Sequence, residues 1–360
     1  MAASATRTLR IAAIRGDGIG IEVVEAALPL LVDAARAEGV EVAVTDLDWG
    51  GDRLLRTGQA MPDDALDVVR AHDAIFLGAV GHADLPPDVS VWSLTLRLRK
   101  ELSLSANVRP IRVWPGLAPV VSGAEGADFV FVRENTEGEY SGVGGRVHAG
   151  QPDEIATDVA VHSRRAIERV ARYAFALARA RGDVLTLATK SNVMKGYQLW
   201  DERVLAIGRA EFPDVTVETN FVDALGARLV NRPTSLGVVL AGNMFGDILS
   251  DVAAPLAGGL GMAPSGSVAP ELDAPGVYEP VHGSAPDIAG RGIANPMAAI
   301  LSGAMLLRDN GLARAADCLE SAVGVALQQE EGRTPDVGGR STTTAVADAV
   351  GVALRAELAL

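Results

Sequence analysis

The sequence predicts an α/β protein with a substantially parallel sheet, and three observations predict it. Apolar, β-rich runs alternate with helical patterns along most of the chain. At 360 residues, with 48% hydrophobic and 22% charged residues, the chain exceeds one ordinary core and suits two domains, or one large sheet with an insertion. One Gly- and Pro-rich segment, Tyr278 to Pro296 (YEPVHGSAPDIAGRGIANP), breaks the regularity and reads as a shaped loop, the kind of segment that holds ligands.

In order, LRIAAI, VEVAVTDL, DAIFLGAV, RPIRVWP, ADFVFVRE, VLTLAT, VTVETNFV and LGVVLAG read as strands. Ile21 to Ala37 and Arg164 to Arg181 carry apolar residues at helical spacing. GDGIG, Gly16 to Gly20, follows the first strand, but Ile21 stands where a dinucleotide fingerprint needs its third glycine. It is read as a tight turn. Glu139 to Ala149 is Gly-rich between extended segments and reads as a hairpin or arm.

The charge balance is −14, which makes nucleic acid and anionic lipid poor partners and requires a local basic cluster for any anionic substrate. The single Cys318 excludes an internal disulfide, fits a reducing cytoplasm, and lies in an Ala-rich helical run as a buried core thiol. No segment qualifies as transmembrane: the most apolar stretch, Val252 to Ala263, is broken by Pro255, Gly258, Gly259 and Gly261. The opening MAASATRTLR is too short for a targeting peptide.

GNMFGDILSD sets Asp247 and Asp251 four apart, so both carboxylates leave the same face of a helix that ends by Pro255. Such a pair repels unless a cation or an Arg joins it. Hard oxygen ligands with open positions suit Mg²⁺ or Mn²⁺ better than zinc; a wet acidic face or a helix N-terminal charge is the ordinary alternative. Asp223, after VTVETNF, offers a third carboxylate. The required basic cluster is present: Arg97, Arg99, Lys100 and Arg109 in LRLRKELSLSANVRP, with Arg133 and Tyr140 in FVRENTEGEY, although by charge alone Arg97, Arg99 and Lys100 fit a solvated helix face equally well. Arg suits a carboxylate because its planar fork makes two charge-assisted hydrogen bonds. Lys190 in ATKSN stands at a strand end, where a neighbouring divalent cation would disfavour its ammonium form.

These motifs, with the Tyr278–Pro296 segment and TPDVGG at Thr334–Gly339, resemble the β-decarboxylating dehydrogenases along nearly the whole chain. That family comprises isopropylmalate, isocitrate, homoisocitrate, tartrate and D-malate dehydrogenases. The resemblance implies an isopropylmalate dehydrogenase-like fold, a large mixed sheet with helices on both faces and not a Rossmann fold, with the active site in a cleft between two domains. Residues 1–104 plus 258–360 would form the large, cofactor-binding domain; 105–257 would form the small domain with the dimer interface and an arm at about 139–163.

It further implies that Asp247 and Asp251, with Asp223 from the neighbouring subunit of a homodimer, hold Mg²⁺ or Mn²⁺, with K⁺ as a further candidate ion. Arg99, Arg109 and Arg133 match the substrate-carboxylate arginines; Arg97 has no counterpart and is structural or solvent-facing. Tyr140 and Lys190 match the catalytic pair, Lys190 again donated across the interface. The implied reaction oxidises a 2-hydroxy di- or tricarboxylate and then releases CO₂. Lys190 takes the hydroxyl proton and Tyr140 returns a proton to carbon.

The cofactor loop would contribute His282, Gly283, Ser284, Ala285, Asp287, Ile288 and Asn295. Asp287 can accept from ribose hydroxyls but repels a 2′-phosphate, and relatives that use NADP carry Lys and Tyr where Asp287 and Ile288 stand, so NAD is expected. Substrate choice falls to the helix from Trp92 to Arg99. Isopropylmalate enzymes place two leucines where Thr95 and Leu96 stand, and the hydroxyls of Ser93 and Thr95 suit a polar C3 group. VSVW, RENTEGEYS, ATKSN and LWDERV most resemble the tartrate/D-malate branch. Ser93 departs from that branch's Gly and matches an isocitrate-type serine. The readings kept beside D-malate/tartrate are isopropylmalate, an isocitrate-like or other polar 3-substituted malate, and, of another class, a non-catalytic regulatory subunit.

Overall fold

The computed structural model describes residues 7–359; residues 1–6 of the opening stretch lie outside them. The chain divides into two compact units, residues 1–102, 112–120 and 254–360 in one and 103–111 with 121–253 in the other.

The first unit opens with β1 (Thr8–Gly16), α1 (Ile19–Ala37), β2 (Glu41–Asp46), α2 (Gly51–Thr57), α3 (Ala65–Arg70) and β3 (Ala74–Ala79). Two short helices follow, α4 (Pro87–Ser93) and α5 (Thr95–Glu101). The single helix expected from Trp92 to Arg99 is therefore broken, because Leu94 takes φ −127° and ψ −73°, outside helical geometry.

The chain then enters the second unit with β4 (Ala106–Arg112) and β5 (Asp128–Glu134), then the hairpin β6 (Gly144–Val147) and β7 (Ile155–Asp158). There follow α6 (Arg164–Arg181), β8 (Leu185–Thr189), α7 (Lys195–Glu211), β9 (Val217–Phe221), α8 (Val222–Asn231), β10 (Val238–Ala241) and α9 (Asn243–Ala253). On its return to the first unit it forms β11 (Pro264–Val268), β12 (Gly276–Pro280), α10 (Met297–Asp309), α11 (Ala313–Leu327) and α12 (Thr343–Leu358).

Strands of the first unit lie in the order β2-β1-β3-β12-β11, parallel up to β12 and antiparallel between β12 and β11. Those of the second lie in the order β4-β5-β10-β8-β9, with β5, β10, β8 and β9 parallel. The mixed arrangement is of the isopropylmalate dehydrogenase type and not that of a Rossmann sheet. β3 reads AIFLGA with all six residues buried, as a parallel strand covered on both faces requires. β11 and β12 escape a sequence reading because PSGSV has little intrinsic β preference. β12 also takes Tyr278 to Pro280 out of the expected loop, which therefore begins after the strand.

α10 lies at the centre of the first unit, with Met297 to Ala304, Leu306 and Leu307 all buried among α1, α11, β11 and β12. A helix apolar on every side can only be stable inside. Cys318 on α11 is half-buried with its Sγ 4.0 Å from the Glu357 carbonyl, which corrects the expectation of a fully buried thiol. In the second unit α6 packs with α7 and the strands β5, β8 and β10, while α8 packs with α9. The hairpin pairs Gly144 with Asp158 through Val147 with Ile155 as a separate two-stranded sheet, every residue exposed.

Candidate active site

In the second unit, β4 and β5 bring two arginines under the first turns of α9. Arg109 and Arg133 are only 5% and 2% exposed, so each needs a compensating charge. Arg109 supplies the bridge that two carboxylates one turn apart demand: its Nη1 donates to Asp251 Oδ1 at 2.8 Å and its Nη2 to Asp247 Oδ1 at 2.9 Å. Arg133 Nη1 donates to the same Asp247 oxygen at 2.6 Å, and its remaining nitrogens donate to the carbonyl and side chain of Asn243. Gly246 lets α9 come this close, since a Cβ there would lie 2.8 Å from Arg133 Cβ. Two buried cations thus face two carboxylates.

Tyr140 joins this network. Its hydroxyl donates to Asp247 Oδ2 at 3.0 Å, and the Arg133 guanidinium lies 5.5 Å from its ring centre. Burial, then the Asp247 charge, push the phenol above its ordinary value and keep it a proton carrier. Burial also raises the Asp251 carboxyl, with Asp247 adding and Arg109 opposing.

Lys190, at the end of β8, donates from Nζ to Asp223 Oδ1 at 2.7 Å, at the start of α8. That hydrogen bond holds the exposed Asp223 carboxylate below the usual range. Among the described residues of one chain, no three His, Cys, Asp or Glu gather where they could hold a metal ion, so Asp223 does not join Asp247 and Asp251 within the chain.

In the first unit Arg99 is buried on α5 and paired to Glu279 of β12 at 2.7 Å, while its Nε is buried with no partner. Arg97 pairs with Glu101 one turn on. Thr95 and Leu96 are buried at the start of α5. The Ser93 hydroxyl donates back to the Val89 carbonyl at 2.5 Å, so toward a ligand it presents acceptor lone pairs. Lys100 Nζ lies 4.4 Å from the centre of the half-exposed Trp92 ring.

The loop after β12 carries His282, whose Nδ1 meets the Gly283 carbonyl at 3.0 Å and whose Nε2 is buried without a partner. Burial lowers its pKa and favours the neutral ring. Ser284 is buried, Ala285 takes φ +38°, and Ile288 N–H closes a turn onto the Ala285 carbonyl. Gly283 is open on its Cβ side and Asp287 is exposed. Asn295 is fixed at both ends of its amide: Nδ2 donates to Asp336 Oδ2 at 3.1 Å, and Oδ1 accepts from Met297 N–H at 3.0 Å.

Sequence reasoning passed over several residues of these clusters. Asn243 and Ser250 support the arginines, and Glu279 balances Arg99. A buried Arg implies a counter-charge, but which acid answers depends on strands remote in sequence. Glu139, beside Tyr140, has both carboxylate oxygens buried without a partner among the described residues, and the Tyr197 hydroxyl is likewise buried without one, its pKa raised by burial and by Glu139 and Glu134.

The fold and these clusters describe a small-molecule enzyme of the decarboxylating dehydrogenase class, and comparison with known proteins agrees. Residues 10–350 match the family described as isocitrate/isopropylmalate dehydrogenase. A probable tartrate dehydrogenase/decarboxylase of Agrobacterium vitis is 44% identical over 96% of this chain and 97% of its own. The 3-isopropylmalate dehydrogenase of Thermobifida fusca is 45% identical over 94% and 95%. The decarboxylating D-malate dehydrogenase of Escherichia coli is 41% identical over 96% and 98%. The crystal structure of isocitrate dehydrogenase from Methylococcus capsulatus superposes with a TM-score of 0.87 at 36% identity, covering 96% of this chain and 99% of that one. The chain belongs to the isocitrate/isopropylmalate dehydrogenase family. Enzymes of this family act on small hydroxy acids with NAD(P) and Mg²⁺ or Mn²⁺. No described helix is long and apolar enough to cross a membrane.

Proposed function

We propose that the protein is an NAD-dependent oxidative decarboxylase of a 2-hydroxy acid with a C3 carboxylate, of the D-malate or tartrate type. The observation that carries this reading is the network of Arg109, Arg133, Asp247, Asp251 and Tyr140, in which two buried cations face two carboxylates beside a protonated phenol. Names of relatives favour the same substrates, tartrate and D-malate.

The donor set fits a divalent cation: hard oxygens on one helix face, of which Asp251 is raised by burial and by its neighbour's charge. Asp247 and Asp251 would hold it, with Asp223 of a second copy. When bound, the ion would polarise the C2 oxygen of the substrate. Arg99, Arg109 and Arg133 grip the substrate carboxylates, the latter two exchanging their aspartates for the incoming anion. Lys190 accepts the C2 hydroxyl proton while NAD⁺, when bound, would take the C2 hydrogen as hydride, which leaves a carbonyl at C2. As CO₂ leaves and its bond electrons pass toward C2, Tyr140 donates a proton to C3.

The loop fits a dinucleotide, because a neutral His282 with a free Nε2 can meet an adenine edge and Gly283 leaves room for close approach. Asp287 at the loop surface favours NAD over NADP. The homodimer is supported by the isolated hairpin, which exposes Val147 and Ile155, and by Ile248 and Val252, each 51% exposed on α9. In it Lys190 and Asp223 serve the neighbouring site.

Isopropylmalate is the second reading, favoured by the identity of the Thermobifida enzyme and the buried Leu96. Initial rates with D-malate, the tartrates, 3-isopropylmalate, isocitrate and homoisocitrate test the proposal, each with Mn²⁺, K⁺ and either NAD⁺ or NADP⁺. The expected result is the highest kcat/KM with D-malate or a tartrate and NAD⁺. A preference for 3-isopropylmalate or for NADP⁺ overturns the corresponding part, and no turnover of any acid points to a regulatory subunit.

A further inference from the structure

Asp17, inside the turn GDGIG, is 3% exposed and uses both carboxylate oxygens on backbone amides of two other loops. Oδ1 accepts from Gly51 N–H at 2.7 Å, at the start of α2, and Oδ2 from Gly81 N–H at 2.8 Å, after β3. The turn and the Gly81 loop that Asp17 ties to it each touch the cofactor loop. Ile19 N–H donates to the Ser284 carbonyl at 2.8 Å. Gly81 lies against the Ser284 side chain, a Cβ there falling 3.0 Å from Ser284 Oγ. Gly18 holds φ +55° in this junction, and a Cβ on it would lie 2.1 Å from the Ser284 carbonyl oxygen. The next residue, Ala285, is held at φ +38°, a conformation that persists only when its surroundings enforce it.

We infer that Asp17 is a positioning residue for the dinucleotide loop, clamping Gly51 and Gly81 so that Ile19 and Gly81 fix Ser284 in its bound-state shape. The inference rests on the assignment of residues 282–295 as the cofactor loop. A carboxylate suits the role because both oxygens accept. Asn offers one acceptor and turns its amide N–H₂ against the other backbone N–H, releasing one loop.

Calorimetric titration of the full-length protein with NAD⁺ tests this without turnover. Asp17→Asn is expected to raise the NAD⁺ Kd about ten-fold, leaving the hydroxy-acid KM within about two-fold and kcat at saturating NAD⁺ within about three-fold. Should Asp17→Asn fail to fold, Ile19→Pro removes the N–H that holds Ser284 at the first position of α1, where proline is tolerated, and is expected to weaken NAD⁺ selectively as well. Folded variants that bind NAD⁺ as wild type does, or that lose NAD⁺ and hydroxy acid equally, overturn the inference. Wild-type protein that binds no NAD⁺ instead overturns the cofactor reading on which it rests.

Discussion

Removing Arg109 would leave Asp247 and Asp251 repelling each other across one helical turn, with Arg133 answering only the first. Arg109→Met should therefore destabilise the protein by about 1–3 kcal/mol, less than a fully buried pair would cost because Asp251 keeps half its exposure. Added MnCl₂ should raise the melting temperature of the variant more than that of wild type, since the carboxylates no longer share an arginine. Equal shifts in thermal melts would remove Asp247 and Asp251 from the metal assignment. Tyr140→Phe should slow turnover by about 10²–10⁴-fold while single-turnover hydride transfer survives better, and full decarboxylation in that variant would reassign the proton donor. Glu134 gives a pH test. Burial raises its pKa above the ordinary 4.5 despite bonds from the Thr136 hydroxyl and the Thr136 and Glu137 amides. The folded state then holds this proton more tightly than the unfolded one. Its contribution is full below pH 4.5 and is lost as pH rises through the raised value. Urea midpoints of wild type should fall over that window, and those of Glu134→Gln should fall less.

At the scale of elements, the break at Leu94 separates the two hydroxyls that the sequence placed on one helix. Ser93 ends α4 with its proton bonded to its own backbone, whereas Thr95 opens α5 buried, so under the proposed function Thr95 rather than Ser93 would decide the C3 group. Thr95→Leu restores a leucine pair with Leu96 and should shift kcat/KM toward 3-isopropylmalate over D-malate by about 10–100-fold. An unchanged ratio would move the determinant elsewhere. Elements whose own residues settle their conformation were legible: α1, α6, the parallel strands other than β12, and the Gly-rich first half of the exposed hairpin follow from periodicity and turn residues. β11, β12 and the α4–α5 break were not. PSGSV becomes a strand because β12 pairs with it, and Leu94 leaves helical geometry in a run whose local sequence contains no Gly or Pro to announce it.

The whole molecule adds a question of which copy supplies which side chain. Lys190 and Asp223 pair with each other and, among the described residues, do not gather with the carboxylates of α9; in the proposed homodimer they would serve the second copy's site. Co-expressing Tyr140→Phe with Lys190→Ala tests this. A mixed dimer would contain one intact site, so random pairing should return about 25% of wild-type turnover, whereas in-cis sites return none. From the chain by itself come the family, the α/β class, and the residue types its chemistry needs, because charged pairs at helical spacing and Gly- and Pro-rich loops report on local geometry. Only the tertiary structure decided the partners: that Arg109 joins Asp247 to Asp251, that Glu279 answers Arg99, and that the turn at Asp17 holds Ser284. Those contacts join residues distant in sequence, and a buried charge is satisfied by whichever group the fold carries to it.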